Sequence, residues 1–396
     1  MNRIKHEILR SLRERVFVVL KIAAILSLGL CGCTESSQEE PLKAVITSDL
    51  HFTIQPEING DIVPAMPYAR EMTEVMSAQV MEMNPDVFIM TGDNTNSGRR
   101  EDIIALVDIL QKIKNAGIPV ILTTGNHDKD QCTKEEYEEL YFSLLEPEER
   151  DTETLSYSKT INDTVFLVMD DSFCTEGTGG QFPASTMTWL KEVLKEHKDL
   201  GHRIIFLSHH SVLTEDNRGY YQIQNQDLYK LLKKYGVKLC FTGHQHAQVI
   251  LHKQKMYEII SGMTLTSPHR LGILECHGRE VVYHTELLDI TRLDAQARTA
   301  IEEGERQRSE EMRDIFLQIL VREGVGSERI DGTMNLVMRY LAWQGEGVIG
   351  DHVQEITQDA YYQDMMTALK DTNYGPWISS ILNAPPLPAD HLEFTY

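Results

Sequence analysis

Five short apolar runs in this chain each end in a side chain that can hold a metal ion. AVITS leads into Asp49 and, two residues on, His51. VFIMTG leads into Asp93, VILTTG into Asn126 and His127, IIFLS into His209 and His210, and LCFTG into His244, with His246 two residues later. A lone Asp or His in a loop is ordinarily a solvated surface residue. Five successive endings drawn only from Asp, His and Asn need another account. Asp49, Asp93, His51, His209, His244, His246 and Asn126 make two carboxylates, four imidazoles and one amide, a set suited to divalent Mn, Fe or Zn, with no thiolate. Seven ligands exceed the needs of one such ion but serve two if a carboxylate bridges. Two cations roughly 3.5–4 Å apart require an anion between them, and water trapped there is largely deprotonated at neutral pH. The chain carries a formal net charge of −22. Such a site would therefore be a cationic island in an acidic protein, fitted to a small phosphate substrate. The same acidity disfavours non-specific binding of duplex nucleic acid.

The elements that must position these residues are legible from residue 43 onward. Each ligand-bearing run is apolar on both parities, as a strand buried on both faces would be. Amphipathic stretches at about 69–83, 101–116, 133–145, 184–197 and 226–235 alternate with the runs, which is the pattern of a layered α/β domain. In such sheets ligands bind beyond the carboxyl ends of the strands, where these residues lie. Asn162-Asp163 reads as a hairpin turn. After His244 the chain becomes richer in strands, in QVILH, YEIISG, LGILE and VVYHTE, and the sheet is expected to gain antiparallel members there. Beyond Asp289 strand signals stop. Helices are expected at 293–322, 333–345, 353–370 and 374–383, ahead of the proline-rich APPLP. At 396 residues the chain exceeds what one core comfortably organises, so a large domain with a smaller helical one is expected.

The ordered blocks D-L-H, G-D-N, G-N-H-D, S-H-H and G-H-Q-H resemble the calcineurin-like metallophosphoesterase superfamily, over residues 43 to about 288. The resemblance implies a four-layer αββα sandwich carrying two divalent metal ions. It implies that one ion takes Asp49, His51, Asp93 and His246, and the other Asp93, Asn126, His209 and His244, with Asp93 bridging. It implies hydrolysis of a phosphoester by a hydroxide held between the ions, with Asn126 also touching a phosphate oxygen and His127 at the place of a residue that supports or protonates the leaving oxygen. Asp128 is placed to orient His127. His210 falls where the family does not usually have a ligand. Asn96 stands where purple acid phosphatases have a ligating tyrosine, so a ferric–tyrosinate site is not expected. SDLHF, GDNTNSG, the G-H-Q-H block and the helical tail are most similar to a bacterial branch of exported, cyclic-nucleotide-phosphodiesterase-like lipoproteins. Residues 52–68, with Tyr68, could line the substrate side. Phosphodiesters of small molecules, cyclic or linear nucleotides among them, are the expected substrates; a phosphomonoesterase or nucleotidase is the alternative, and a non-catalytic metal-binding lipoprotein the reading from another class. Oligomeric state is left open.

The domain plan is a leader at 1–33, a tether at 34–42, a catalytic domain at 43–289 and a smaller all-helical domain at 290–396. In the leader, Arg3, Lys5, Arg10, Arg13, Arg15 and Lys21 outweigh Glu7 and Glu14, an apolar stretch runs from Ile22 to Leu30, and L-C-G-C follows. A basic segment, a short apolar core and a small residue before the cut make a secretory signal. The Leu-x-Gly-Cys ending resembles a bacterial lipobox, which implies cleavage after Gly32, lipid on Cys33 and a protein anchored on the outer face of the cell membrane. The rival reading is an uncleaved anchor, for which the apolar run is short. Export permits disulfides. Cys132 and Cys174 lie in polar segments and could pair, whereas Cys240 sits in an apolar run. Replacing Cys33→Ser is expected to shift the protein from the membrane to the soluble fraction or to leave an uncleaved precursor, read by fractionation and intact mass. A native chain that is soluble and carries no lipid would refute the anchor.

Overall fold

The computed structural model describes residues 41–55, 63–214, 220–372, 374–383 and 386–396. The leader, its lipid-bearing Cys33 and most of the tether lie outside the described residues, as do residues 56–62 of the expected substrate loop. None of the described helices is long and apolar enough to cross a membrane. Residues Pro41–Tyr396 form one compact unit.

All five ligand-bearing runs are strands, divided between two six-stranded sheets. The first sheet has the order β12-β11-β10-β1-β2-β3. In it β1 (Leu42–Thr47), β2 (Val87–Thr91) and β3 (Val120–Thr123) are parallel, and β10 (Arg270–His277) and β11 (Glu280–Leu287) continue antiparallel. The second has the order β4-β5-β6-β7-β9-β8. Its members are β4 (Tyr157–Ile161), β5 (Thr164–Val168), β6 (Arg203–Leu207), β7 (Leu239–Thr242), β8 (Val249–Lys253) and β9 (Met256–Ile260). The Asn162-Asp163 turn joins β4 to β5 as expected, and β8, β10 and β11 are the late antiparallel strands.

Side-chain parity explains the layering. Along β5, Phe166 and Val168 enter the core shared with β1 and β2, while Val165 and Leu167 face a second core with Leu190, Leu194 and Leu232. Period-two alternation thus buries both faces of one strand. The second core belongs to α4 (Ala184–Leu200) and α5 (Leu228–Tyr235). On the first sheet, α1 (Ala69–Met83) and α2 (Arg100–Asn115) supply Met72, Met76, Leu106 and Leu110 to the main core. The result is the expected helix–sheet–sheet–helix sandwich. α3 (Lys134–Leu145) begins on a capping box in which Thr133 and Glu136 satisfy each other's backbone N–H groups. Tyr68 packs against the main core. The four described cysteines, Cys132, Cys174, Cys240 and Cys276, are all free thiols, so the Cys132–Cys174 disulfide is not formed.

The segment after Asp289 is helical: α6 (Ala295–Arg322), α7 (Ser327–Gly345), α8 (Val353–Gln358), α9 (Tyr362–Leu369) and α10 (Tyr374–Asn383). The helix expected over 353–370 is broken between α8 and α9. There the Asp359 carboxylate accepts from the Tyr361 N–H at 2.9 Å, a local bond that competes with the helical one. A separate core of Phe316, Leu320, Leu336, Val337 and Leu369 fills these helices. The segment is held to the sandwich by Leu293, Ala297 and Ile301, which enter the main core, and by polar ties: Arg292 makes two 2.8 Å bonds to Glu82, and Glu305 accepts from Ser267 N at 2.9 Å. We propose that 290–396 is a smaller domain within that compact unit, on the strength of this core, with one departure from an all-helical plan. The chain returns as β12 (His391–Thr395), antiparallel to β11 at the edge of the first sheet. Its residues, HLEFT, alternate polar and apolar too briefly to stand out in sequence.

Removing residues 388–396 is therefore expected to destabilise the whole protein. It withdraws buried Leu392 from the main core and the 2.7 Å bond from the Tyr396 hydroxyl to Ile204 O, and bares the edge of β11. A loss of roughly 3 kcal/mol or more is expected, seen as a fall in Tm of on the order of 5 °C or more. An unchanged Tm would show that β12 is a passive tail.

Candidate metal centre

The first five residues beyond β1 and β2 run side by side before they diverge. Asp49 N donates to Gly92 O at 3.1 Å, and His51 N to Asp93 O at 2.9 Å. The backbone then bends sharply. Asp49, His51, Asp93, His244 and His246 all have positive φ, between 44° and 66°. For non-glycine residues this conformation is uncommon and costs of order 1–3 kcal/mol each. Its concentration in five of the seven candidate ligands marks a region that the surrounding structure holds in place. The glycines before the ligands make room for them. A Cβ on Gly125 would lie 2.2 Å from Asp93 Oδ1, and one on Gly243 2.5 Å from Asp49 Oδ2.

The loops are tied to one another through the carboxylates. Asp49 accepts from His244 N at 3.1 and 3.0 Å, linking the end of β1 to the end of β7 in the other sheet. Asp93 Oδ1 accepts from His127 N at 2.8 Å, linking β2 to β3. The ligand side chains consequently converge in two groups, Asp49, His51, Asp93 and His246, and Asp93, His209 and His244, within each of which the candidate ligand atoms all lie within 4.8 Å of one another. Asn126 joins the second group, its Oδ1 lying 3.3 Å from His209 Nε2. Asp93 belongs to both. Six of the seven are buried, and His246 opens to solvent with 43% of its side chain exposed.

These residues fit a pair of divalent ions on three observations. Asp93 Oδ2 is buried with no hydrogen-bond partner, yet lies 3.3 Å from His209 Nε2 and 3.6 Å from His51 Nε2, between the two groups. Buried carboxylate oxygens are ordinarily satisfied. The spacings also match: His51 Nε2 to His246 Nε2 is 3.1 Å and His246 Nε2 to Asp49 Oδ1 is 3.4 Å. Ligands ~2.1 Å from a shared ion stand about that far from each other. Third, the imidazoles are aimed by their outer nitrogens. His209 Nδ1–H donates to Thr91 O at 2.9 Å, His51 Nδ1–H to Asn96 Oδ1 at 3.2 Å, and His244 Nε2–H to Tyr220 O at 3.1 Å. Each leaves the other nitrogen's lone pair for an ion.

Charge follows the same plan. Burial pushes His51 down to about 4, leaving it neutral at pH 7. Burial also acts against His209, but the Asp93 carboxylate beside it outweighs that and holds it at about 10. His246 is raised against burial by its bond to Asp49. Without metal, the proton on His209 thus takes the place of a cation beside Asp93.

Asn96 is the residue whose positioning role the sequence reading missed. Its side chain orients His51, and its backbone carbonyl accepts from His127 Nδ1–H at 3.1 Å. The segment GDNTNSG held the signal, but nothing in it showed which asparagine faced inward. Asp128 was expected to orient His127 and does not. It is buried and accepts from Gly125 N, Asn94 N, Asn94 Nδ2, Thr95 N and Thr95 Oγ1 at 2.9–3.2 Å, which staples the β2 and β3 loops together. His210 is turned away from the centre, with Nδ1 3.1 Å from Asp171 and Nε2 2.6 Å from Thr178 O, in keeping with its exclusion from the ligand set.

The model of the calcineurin-like phosphoesterase family matches residues 42–248. A probable cyclic nucleotide phosphodiesterase of Moraxella catarrhalis (strain BBH18) is 29% identical over 222 residues, which is 54% of this chain and 74% of that protein. Among solved structures, a dimetal phosphatase from Danio rerio aligns with a TM-score of 0.50 at 13% identity, over 63% of this chain and 97% of its own. At that identity the likeness is one of fold.

Asp93 belongs to both candidate ligand groups. Asp93→Ala is expected to reduce bound Mn from near two ions per chain to near none, measured by elemental analysis, whereas His51→Ala damages mainly one site. Because His209 holds its proton to about 10 in the absence of metal, metal loading at neutral pH releases protons and weakens as pH falls. Titration calorimetry in buffers of differing ionisation enthalpy reads this release. A stoichiometry of one in the unmutated protein, or of two in Asp93→Ala, would overturn the bridging arrangement.

Proposed function

The chain belongs to the calcineurin-like phosphoesterase family and is a metal-dependent phosphoester hydrolase; from that premise we propose that it cleaves phosphodiester bonds of small molecules, foremost cyclic or linear nucleotides, at a dinuclear centre. The observation that carries the dinuclear reading is the unpartnered Asp93 Oδ2 between two imidazole groups. The substrate class is supported by the similarity to the Moraxella protein, whose printed name is a probable cyclic nucleotide phosphodiesterase. The export and lipid anchoring on Cys33 argued above are part of the same proposal.

Two divalent ions, bound by Asp49, His51, Asp93, Asn126, His209, His244 and His246, would supply an activated water and neutralise phosphate charge. The protein's own contribution is orientation and proton transfer. Asp93 Oδ1, tied to His127 N, fixes the β3 loop relative to the ligands. The Asn126 amide lies beside His209 at the metal-facing end of that loop, where it can also donate to a phosphate oxygen. His127 is not in either ligand group. Its Nδ1–H is committed to Asn96 O, so Nε2 is the atom that holds or delivers a proton, and its side chain is 34% exposed beside the His51 ring. That combination suits a general acid for the leaving alkoxide.

A general acid matters in proportion to the leaving group's need for a proton. His127→Ala is expected to keep two metals, to lose little activity on bis-p-nitrophenyl phosphate, whose leaving group departs readily unprotonated, and to lose ~10²–10⁴-fold on a nucleotide diester. His209→Ala harms both substrates alike. Equal losses in His127→Ala on metal-replete protein would remove His127 from the acid role. A strong preference for monoesters in the unmutated enzyme would overturn the diester assignment.

A further inference from the structure

Next to the metal centre lies a cavity that the phosphate chemistry does not use. Its volume is about 250 Å³, and it is walled on one side by His246 and by Met263, Pro268 and Arg270 of the sandwich, and on the other by Leu341 and Gln344 of α7. His246 is the one candidate ligand open to solvent, so the cavity meets the centre at its accessible face.

Two polar side chains in its wall keep hydrogen-bonding capacity to spare. Gln344 is 7% exposed, and its side-chain amide makes no hydrogen bond among the described residues. Arg270 spends Nη1 on Thr285 Oγ1 and Nη2 on Glu346 O, both neutral acceptors, while its buried Nε has no partner. No carboxylate of the described residues lies within ion-pair distance of this guanidinium, so its wall keeps uncompensated positive charge.

We propose that this cavity binds the nucleobase of the substrate, with Gln344 as the specificity-determining residue. The inference rests on the nucleotide reading above and deepens it. A phosphate would need several converging N–H donors, whereas these walls are largely apolar and, with the Gln248 amide spent on Tyr283 Oη, Ala389 O and Gly262 N, offer one uncommitted amide and one guanidinium. A base is apolar on its faces and carries adjacent donor and acceptor atoms on its edge. A carboxamide offers the complementary pair, as glutamine does to adenine, and Arg270 on the facing wall favours acceptor atoms there. The volume lies below the ~300–1,000 Å³ of pockets for larger ligands, which suits one ring system rather than a dinucleotide. The helical segment thereby completes the active site.

The test uses the full-length, metal-loaded enzyme. Gln344→Met preserves side-chain length while removing both polar atoms. For a nucleotide diester this variant is expected to raise KM on the order of 10-fold with kcat little changed, and to leave Tm and the KM for bis-p-nitrophenyl phosphate unmoved. Saturation-transfer NMR with adenosine, guanosine, cytidine and uridine, which carry no phosphate for the metals, is expected to show binding of at least one to the unmutated protein and its loss in Gln344→Met. No nucleoside binding together with an unmoved nucleotide KM overturns the inference, even if nucleotide diesters are cleaved. An equal rise in KM for the nitrophenyl diester also overturns it, because the change would then be structural. Nucleoside binding through Gln344 in an enzyme that turns over no nucleotide diester would uphold the cavity and reject the substrate reading on its own.

Discussion

The rest of this structure depends on one buried carboxylate. Asp93 sits at the end of β2 with Oδ1 spent on the His127 backbone and Oδ2 spent on nothing but the proximity of His209 and His51. An ionised group so placed is tolerated only when opposite charge faces it. Two bound cations would supply that charge; without them it is the proton that Asp93 itself keeps on His209. Removing Asp93 would leave two groups of imidazoles with no common anion, and like charges at that range repel.

Holding that carboxylate in place explains the backbone. Five of the seven candidate ligands occupy left-handed conformations, and the strain is carried by a continuous set of ties: β1 and β2 loops paired through their backbones, Asp49 reaching the His244 N–H across the sheets, and Asp128 gathering five donors from the β2 and β3 loops. These bonds are buried, where they are strong and where leaving any of them unmade is costly. Ligand geometry here is therefore a property of both sheets together rather than of any one loop.

The helical segment has three kinds of attachment, of which one is apolar: Leu293, Ala297 and Ile301, at the start of the segment, lie in the main core. Arg292–Glu82 and Glu305–Ser267 are contacts of polar and charged groups, of which an exposed ion pair contributes little on its own. β12 is different, since it adds five residues of ladder to β11 and apolar side chains to the main core. The chain's last strand so fastens α7 and α10 near the metal centre, with Gln344 in the wall beside His246.

How much of this was readable in sequence follows from the range of each interaction. The strands ending in Asp49, Asp93, Asn126, His209 and His244 were legible because burial on both faces forces apolar residues at both parities. α1, α2 and the Asn162-Asp163 hairpin were legible because helix and turn periodicities are local. The candidate ligands stood out for a similar reason, since Asp, His and Asn recur at the ends of successive apolar runs. What the chain could not disclose was partnership between distant residues. Nothing local distinguishes Asn96 from Asn94, or shows that Asp128 staples loops instead of aiming His127. Nothing local tells that α8 breaks from α9 at Asp359, that HLEFT joins the first sheet, or that Gln344 lies unpaired beside His246. Sequence determined which residues could do the chemistry. Tertiary structure decided which nitrogen of each imidazole faces inward and which carboxylate stands between the two groups, because those choices are made by hydrogen bonds from residues scores of positions away.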